Sequence, residues 1–391
     1  MRHYLDYAAT SALRPPVVTE AVTRFLAECG ATPGRGAYAE AVEAARVALR
    51  CRRAVQEVLA LPGGPERVAF ASNATQALNT ALYGLLRPGD VVVTTPFEHN
   101  AVLRPLAWLE RSRGVRVRIV RGAPDGSLDV EGSDELLDGA RLLAVTAVSN
   151  VLGTRLPVGA LAARARAAGA LVLVDTAQGA GHVPMHPADE GADLVAFTGH
   201  KGLLGPQGTG GLWVREGVEV APLLRGGGGG DSADPEMPRA MPDRLEAGTL
   251  NGVGLAGLEA GITYLLREGI ATIHRRTRRL KYRLREGLSS IPGVTMASPA
   301  APDGAAIVTV TLRGVSASEV AARLDREWGV AVRAGLHCAP GAHRVLGTLA
   351  EGAVRFSLGW ASQEEDVDRA IEGIAAIAGG AGTMRATPGT R

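Results

Sequence analysis

Short apolar runs that alternate with helical stretches are the feature that most constrains the fold of this chain. Several runs are rich in valine and almost free of polar residues, as expected for strands buried on both faces. Stretches rich in Ala, Leu and Arg lie between them, for example 100–113 and 158–168. This alternation indicates an α/β fold with a mostly parallel sheet between two helical layers. The predicted strands are 68–71, 91–95, 115–120, 142–149, 171–174, 194–197 and 211–214.

The pattern changes near Tyr264, where a smaller α+β unit is predicted. A long basic helix is followed by strands and helices in mixed order. The glycine- and proline-rich segment 226–242 is predicted to be a mobile loop, and residues 379–391 a disordered tail. The predicted elements after the basic helix are strands 306–312, 330–333 and 353–358 and helices 317–327 and 364–377.

Composition excludes several classes of protein. The 42 basic and 40 acidic residues give a net charge of +2, which argues against nucleic-acid binding. The sequence has no apolar segment of the roughly 20 residues that span a bilayer and begins without a signal-like stretch, so we expect no membrane association and no export. Its three cysteines are too few for a disulfide framework, and a cytoplasmic location is expected.

Asp175 and Lys201 form the strongest pair of candidate functional residues. Asp175 ends a predicted buried strand, where ligands of open α/β sheets bind. A carboxylate there stays ionised only beside a cation, and the protonated pyridine nitrogen of pyridoxal phosphate (PLP) is such a cation. Lys201 follows the next strand and could bind PLP covalently and shuttle protons. Each residue alone would suit a cap or a surface turn, but together with Gln178 and His200 they indicate a PLP site.

Four weaker signals each allow two interpretations. The small residues at 72–76 open a helix, and they suit either a phosphate or a simple helix cap. His99 follows a strand and is either a catalytic ring that stacks on a planar cofactor and exchanges protons or a structural residue. Cys338 lies in a Gly/Ala/Pro-rich loop beside Arg333, where positive charge would favour a thiolate, although an isolated cysteine is usually inert. Arg355 on an alternating strand suits a substrate carboxylate or a structural ion pair.

Nine motifs together resemble the class V aminotransferase superfamily, and within it the cysteine desulfurase-like branch with a short active-site cysteine loop (SufS type). They follow the family order from residue 4 to residue 357, so the match depends on the ordered set more than on any one motif. The motifs are YLDYAATS (4–11), NATQALN (73–79), EHN (98–100), VSNVLGT (148–154), VDTAQ (174–178), TGHK (198–201), EAGTLN (246–251), GLHCAP (335–340) and RFS (355–357).

The resemblance implies a PLP-dependent transferase of fold type I. It has a large PLP-binding domain with a mainly parallel seven-stranded sheet, here residues 15–260, and a smaller α+β domain, here 1–14 and 261–378. It forms a homodimer with the active sites at the interface. The implied cofactor residues are Lys201 for covalent attachment, Asp175 for the pyridine nitrogen, Gln178 for the ring hydroxyl, His99 for ring stacking, Ala74, Thr75, Thr198 and His200 for the phosphate, and Gly248 and Thr249 from the partner subunit.

The implied reaction removes sulfur from L-cysteine. Asn150 and Arg355 hold the substrate carboxylate with Arg333 nearby; Asn150 also belongs to the implied cofactor-binding set. Lys201 takes the α-proton, Cys338 accepts the sulfur as a persulfide for transfer to an acceptor protein, and alanine leaves. No metal site is predicted.

Other functions remain open at this point. Selenocysteine is an alternative substrate, and a C–S lyase that eliminates from cystine or an S-substituted cysteine would release pyruvate without needing Cys338. A non-catalytic scaffold that binds a sulfur carrier is a third interpretation, but Lys201 and Asp175 speak against it. Two departures from the family pattern favour a variant substrate or partner: Leu336 replaces the first histidine of a His-His-Cys run, and Ala74 replaces a hydroxyl residue.

Overall fold

A computed structural model of the chain describes residues 2–34, 36–228 and 233–383. The strands are β1 (His3–Tyr4), β2 (Val68–Ala71), β3 (Val91–Thr94), β4 (Arg116–Ile119), β5 (Ala140–Thr146), β6 (Leu171–Asp175), β7 (Leu194–Thr198), β8 (Gly210–Val214), β9 (Val294–Met296), β10 (Ile307–Leu312), β11 (Val330–Ala331), β12 (Arg333–Gly335) and β13 (Ala353–Ser357). The α-helices are α1 (Pro16–Arg24), α2 (Ala39–Leu59), α3 (Ala74–Leu85), α4 (Asn100–Arg113), α5 (Ser133–Leu137), α6 (Val158–Ala167), α7 (Gly252–Glu268), α8 (Ile270–Ser289), α9 (Ala317–Trp328), α10 (Pro340–Val345) and α11 (Glu364–Thr383).

The central sheet has seven strands in the order β2-β8-β7-β6-β5-β3-β4. Strand β8 pairs antiparallel with both of its neighbours, and the other six strands run parallel to one another. The predicted α/β architecture with a mainly parallel seven-stranded sheet is confirmed. Because six strands share one direction, their carboxyl ends lie at a single edge of the sheet.

Helices cover both faces of this sheet, as the valine-rich strands predict. In β3, Val91 and Val93 pack into one hydrophobic core and Val92 into another, because successive side chains of a strand point to opposite faces. The first core includes buried residues of α2, α6 and α7, and the second includes those of α3 and α4. Burial on both faces explains why these strands lack the polar alternation of a half-exposed sheet.

A second sheet of four antiparallel strands, in the order β12-β13-β10-β9, lies in the C-terminal part of the chain. Together with α8, α9 and α11 it surrounds a third hydrophobic core, which also contains Leu5. Strand β1 pairs in parallel with β11, so the N-terminal segment packs with this unit. The domain limits stay a prediction, and α7 runs across the proposed division between residues 260 and 261.

Element boundaries differ from the sequence prediction where backbone turns interrupt a periodic pattern. The predicted strand 330–333 is divided into β11 and β12, and β5 ends at Thr146 instead of 149. Helix α11 continues through the first residues of the predicted tail to Thr383, and residues 384–391 lie outside the described part. Residues 229–232 of the predicted loop 226–242 also lie outside it. Within the described ranges, no helix is long and apolar enough to cross a membrane.

A buried ion pair joins α2 to the segment before α7. Two guanidinium nitrogens of Arg52 donate to the two carboxylate oxygens of Glu246, at 2.7 and 2.8 Å. The carboxylate also accepts from the backbone N–H of Phe70 at 2.6 Å, and Arg52 donates to the carbonyl of Val68 in β2. Charges taken out of water are tolerated only with such complete partnering. The pair therefore fixes the chain around Glu246 against α2 and β2.

We expect Glu246→Ala to lower the free energy of unfolding by about 3–5 kcal/mol, because it leaves the Arg52 charge buried without a partner. Denaturant titration of the purified protein measures this loss. Glu43→Ala is the matched control, since the Arg50–Glu43 ion pair is exposed and contributes little. Equal losses in the two variants would contradict a buried charge at Arg52.

Candidate active site

The carboxyl ends of five parallel strands meet around one cavity. Asp175 is the last residue of β6, and the chain segments that follow β2, β3, β5 and β7 carry, in that order, Thr75, His99, Asn150 and Lys201. All five residues line a cavity of about 260 Å³ at this edge of the sheet. The other predicted residues that line it are Ala74, Gln178, Thr198, His200, Arg333 and Arg355. Positions spread over 280 residues of sequence are thus brought together by the parallel sheet.

Asp175 and Lys201 lie on the neighbouring strand ends of β6 and β7. The carboxylate of Asp175 accepts the backbone N–H of Ala177 at 2.8 Å, and burial raises its pKa although Lys201 opposes this. Burial lowers the pKa of Lys201 to about 8, with Asp175 acting in the opposite direction. The amine is therefore partly deprotonated near neutral pH, which a nucleophile or proton carrier needs.

His99 caps α4 with its ring. Its Nδ1 accepts the backbone N–H of Ala101 at 3.0 Å, so the ring proton of the neutral tautomer is on Nε2. Burial, together with the positive charges of Lys201, Arg333 and Arg355, lowers the pKa of His99 to about 4. The ring that lines the cavity is therefore neutral near neutral pH and does not add positive charge.

Unsatisfied donors gather where α3 begins. Asn73 caps the helix by accepting the N–H of Gln76 at 3.0 Å, and Ala74 and Thr75 line the cavity. The hydroxyl of Thr198 is buried without a hydrogen-bond partner in the described structure. A buried hydroxyl without a partner destabilises the fold, and the start of a helix presents free N–H groups. This corner of the cavity therefore suits an anionic group such as a phosphate.

Arg355 on β13 lies at the opposite wall and is 1% exposed. Its guanidinium donates to the carboxylate of Asp6 at 2.9 Å and to the backbone carbonyl of Asn150 at 3.0 Å, while its Nε has no hydrogen-bond partner within the described part of the chain. Asp6 was quoted in a sequence motif but not predicted as a partner. Both interpretations of Arg355 thus remain compatible with the structure, because an ion-paired guanidinium still faces the cavity.

Cys338 does not line this cavity. It lies in an adjoining groove that shares Thr75 and His99 with the cavity, and its sulfur is 3.6 Å from a guanidinium nitrogen of Arg333. The backbone of His337 and Cys338 adopts left-handed φ values of 50° and 57°. Two consecutive left-handed residues other than glycine are unfavourable by about 1–2 kcal/mol each, so the surrounding contacts must hold the loop.

Gly248 and Thr249 are exposed and do not line the cavity of their own chain.

Several neighbours of the site have no role predicted from the sequence, namely Asp6, Thr10, Glu98 and His343. Glu98 is buried beside His99 and accepts from the hydroxyl of Thr95 at 2.7 Å, and burial raises its pKa to about 8. The one sequence signal that could have identified Glu98 is that its carboxyl group directly precedes a predicted site histidine.

The cavity fits PLP on three observations of this structure. Among the described residues, Lys201 is the cation that acts on the buried Asp175 carboxylate, the Thr198 hydroxyl is buried without a hydrogen-bond partner, and the Lys201 side chain lines the same cavity as both. Gln178 donates to the carbonyl of Ala8 at 2.8 Å, which fixes its amide at the cavity wall. In PLP, the pyridinium nitrogen would pair with Asp175, the phosphate would accept from Thr198, and the aldehyde would react with the amine of Lys201.

Comparison with known proteins agrees with this geometry. Residues 3–370 match the aminotransferase class-V family. The chain belongs to this family. A probable cysteine desulfurase from Methanothermobacter thermautotrophicus is 37% identical over 386 residues, which cover 96% of this chain and 94% of the relative. A cysteine desulfurase from Pectobacterium atrosepticum is 35% identical over 390 residues, covering 96% and 92% of the two chains.

Solved structures of family members have the same fold. The apo structure of a cysteine desulfurase from Thermococcus onnurineus superimposes with a TM-score of 0.91 at 34% identity, covering 97% of this chain and 95% of that one. A cysteine desulfurase from Escherichia coli gives a TM-score of 0.86 at 29% identity, with 96% and 94% covered. The predicted PLP-dependent transferase fold of type I is confirmed.

We expect the cofactor-free protein to lose stability as the pH falls from about 6.5 to about 4. Burial lowers the pKa of His99, His182 and His200 to about 4 from 6.5, so the unfolded chain binds protons before the folded chain does. This stability is fully present above pH 6.5. Denaturant midpoints across this range measure the slope, and His182→Gln should reduce it. An unchanged slope in that variant would contradict a neutral His182.

Proposed function

We propose that this protein is a PLP-dependent cysteine desulfurase, which converts L-cysteine to L-alanine and leaves the sulfur as a persulfide on Cys338. The observation that carries the proposal is that Lys201 and Asp175 share one cavity while Cys338 lies in the groove beside it. A cofactor cavity alone would suit many reactions on amino acids. A cysteine next to it, within reach of the Arg333 guanidinium, supplies an acceptor for sulfur.

The cavity residues divide among the parts of the cofactor. When bound, PLP supplies an electron sink for the charge left after the α-proton is removed. Asp175 would pair the pyridine nitrogen, His99 would lie over the ring and Gln178 would contact its hydroxyl. The phosphate would bind at the start of α3 and in the loop after β7, where Ala74, Thr75, Thr198 and His200 line the cavity.

Two roles fall to the remaining charged groups. Lys201 holds the cofactor and afterwards moves the substrate α-proton, because a pKa of about 8 lets its amine accept and return a proton near neutral pH. Arg355 and Asn150 would hold the substrate carboxylate, with Arg333 nearby. The unpartnered Nε of Arg355 leaves donor capacity on this guanidinium after the bond to Asp6.

Sulfur transfer is assigned to Cys338. Its thiolate attacks the substrate sulfur, a sulfur–sulfur bond forms and the carbon–sulfur bond breaks. The electron pair of the broken bond stays with the carbon, which takes a proton and leaves as alanine. A guanidinium nitrogen of Arg333 lies 3.6 Å from the attacking sulfur. L-selenocysteine would fit the same steps.

A second copy of the chain and a sulfur acceptor are proposed partners. Exposed Gly248 and Thr249 are well placed to reach a neighbouring subunit, and the buried Arg52–Glu246 pair fixes the chain two residues before them. The persulfide on Cys338 would pass to an acceptor protein through the groove beside α4.

Lys201→Ala should abolish covalent attachment of PLP and all turnover. The sequence contains only two lysines. The other, Lys281, does not line the cavity and donates instead to the carbonyls of Ala301 and Ala305. Borohydride reduction followed by peptide mass spectrometry should place the cofactor on Lys201 in the wild type. Lys281→Met is the control and should keep the adduct. An adduct that persists in Lys201→Ala would refute the assignment.

Product analysis with L-cysteine tests the reaction itself. The wild type should release alanine and carry a persulfide on Cys338 after one turnover, and not on Cys29 or Cys51. Cys338→Ala should keep PLP but lose alanine formation by at least about a hundredfold, since the sulfur has no protein acceptor. A C–S lyase would instead release pyruvate and ammonia and would lose little activity in the variant.

A further inference from the structure

Three polar side chains form a directed chain of hydrogen bonds behind Cys338. The hydroxyl of Thr348 is 2.8 Å from Nδ1 of His343, and Nε2 of His343 is 3.2 Å from Nδ1 of His337. Nε2 of His337 is in turn 3.2 Å from the backbone carbonyl of Arg333. We call these three residues, Thr348, His343 and His337, the histidine relay.

The last acceptor fixes the direction of the whole relay. A carbonyl oxygen cannot donate, so Nε2 of His337 must carry the proton and its Nδ1 must accept. Nε2 of His343 is then the donor to His337, and Nδ1 of His343 accepts the hydroxyl proton of Thr348. Each ring therefore has one possible neutral tautomer. The donor and acceptor roles in every hydrogen bond of the relay follow from those in the neighbouring bond.

Both rings are buried and uncharged. His343 is 0% exposed and His337 is 2% exposed, and burial lowers the pKa of both, that of His337 to about 3. The ring centroids are 5.3 Å apart and the planes are inclined by 24°, so the two rings are close to parallel. Their nearest polar contact is the 3.2 Å approach of the two nitrogen atoms, which is a hydrogen-bond distance.

The relay ends on the loop that carries the proposed sulfur acceptor. His337 and Cys338 both have left-handed backbone conformations, which other contacts must maintain. The carbonyl of His337 accepts from the side chain of Asn150 at 2.7 Å, and that of Cys338 accepts the N–H of Asn100 at 2.7 Å. These bonds fix the backbone of the loop, and the relay fixes the ring of His337.

The relay also holds Arg333. Its final bond is to the carbonyl of Arg333, and the guanidinium of the same residue is 3.6 Å from the Cys338 sulfur. One series of bonds therefore links the backbone of the cysteine loop with the residue that contacts its thiol. It begins at Thr348, whose carbonyl accepts the N–H of Gly352 at 2.8 Å immediately before β13.

We propose that His343 and Thr348 are positioning residues, which hold the Cys338 loop and Arg333 in the geometry for sulfur transfer through the ring of His337. The proposal rests on the proposed desulfurase function for its catalytic consequence. Neither residue lines the cofactor cavity, and neither contacts the sulfur. Simple packing of two rings would need no hydroxyl at Thr348 and no fixed tautomers.

Paired substitutions separate positioning from packing. Thr348→Val removes the hydroxyl at nearly constant shape, and Thr348→Ser restores it. His343→Leu removes the donor to His337, whereas His343→Gln keeps an amide donor of similar reach. Two measurements on the holoenzyme are compared: the kcat and KM for alanine formation from cysteine, and hydrogen–deuterium exchange of the amides in 335–339.

The positioning role predicts a selective effect. Thr348→Val and His343→Leu should lower kcat about five- to tenfold, because each removes one hydrogen bond that holds the cysteine loop in position for the reaction. The KM for cysteine and the PLP content should be unchanged. Exchange in 335–339 should accelerate in both. Thr348→Ser and His343→Gln should return kcat and exchange to within about twofold of the wild type.

Two results would overturn the inference. One is wild-type exchange and kcat in Thr348→Val and His343→Leu. The other is an equal loss in the restoring variants together with a lower melting temperature, which would show that only packing matters. If the wild type released no alanine, the desulfurase proposal would fail, and the exchange pattern alone would still support or overturn the relay.

Discussion

The shared direction of β5, β6 and β7 is the constraint on which the site depends. In-register parallel pairing sets Asp175 opposite Ala196, so the carboxylate lies beside the loop that carries Lys201. A shift of one residue would turn Asp175 to the other face of the sheet. The hydrophobic cores on both faces make that shift costly, because Val172 and Val174 are packed on one side and Leu173 on the other. Packing on the two faces of the sheet therefore fixes the position of the Asp175 carboxylate at the cavity.

Burial then gives the cavity its electrostatic character. It lowers the pKa of the Lys201 amine, raises that of the Asp175 carboxyl and keeps the surrounding histidines neutral. Each shift has the same cause, since a charged form loses its hydration when it leaves water. Two buried donors of the cavity, the hydroxyl of Thr198 and the Nε of Arg355, have no partner among the described residues, so an anionic ligand could accept hydrogen bonds from them.

The sequence was informative where local pattern and function coincide. Apolar runs predicted the strands of the central sheet, and polar residues just after them predicted Asp175 and Lys201. The partners of Arg355 could not be predicted this way, because Asp6 lies 349 positions away and meets it only when β1 joins the C-terminal unit. The link between His337 and His343 was missed for a different reason. These two histidines are six residues apart, and they come together only because the cysteine loop leads into the short helix α10, which the sequence pattern did not predict.

The scarcity of lysine has a consequence for selectivity. Lys281 is fully buried and engaged with two carbonyls, so Lys201 is the only lysine whose amine faces a cavity. The other strongly basic side chains are arginines, whose guanidinium groups remain protonated and do not form the imine that a free amine forms with PLP. Among the side chains of this protein, imine formation is therefore confined to one interior position, and free PLP meets no surface lysine to which it could attach.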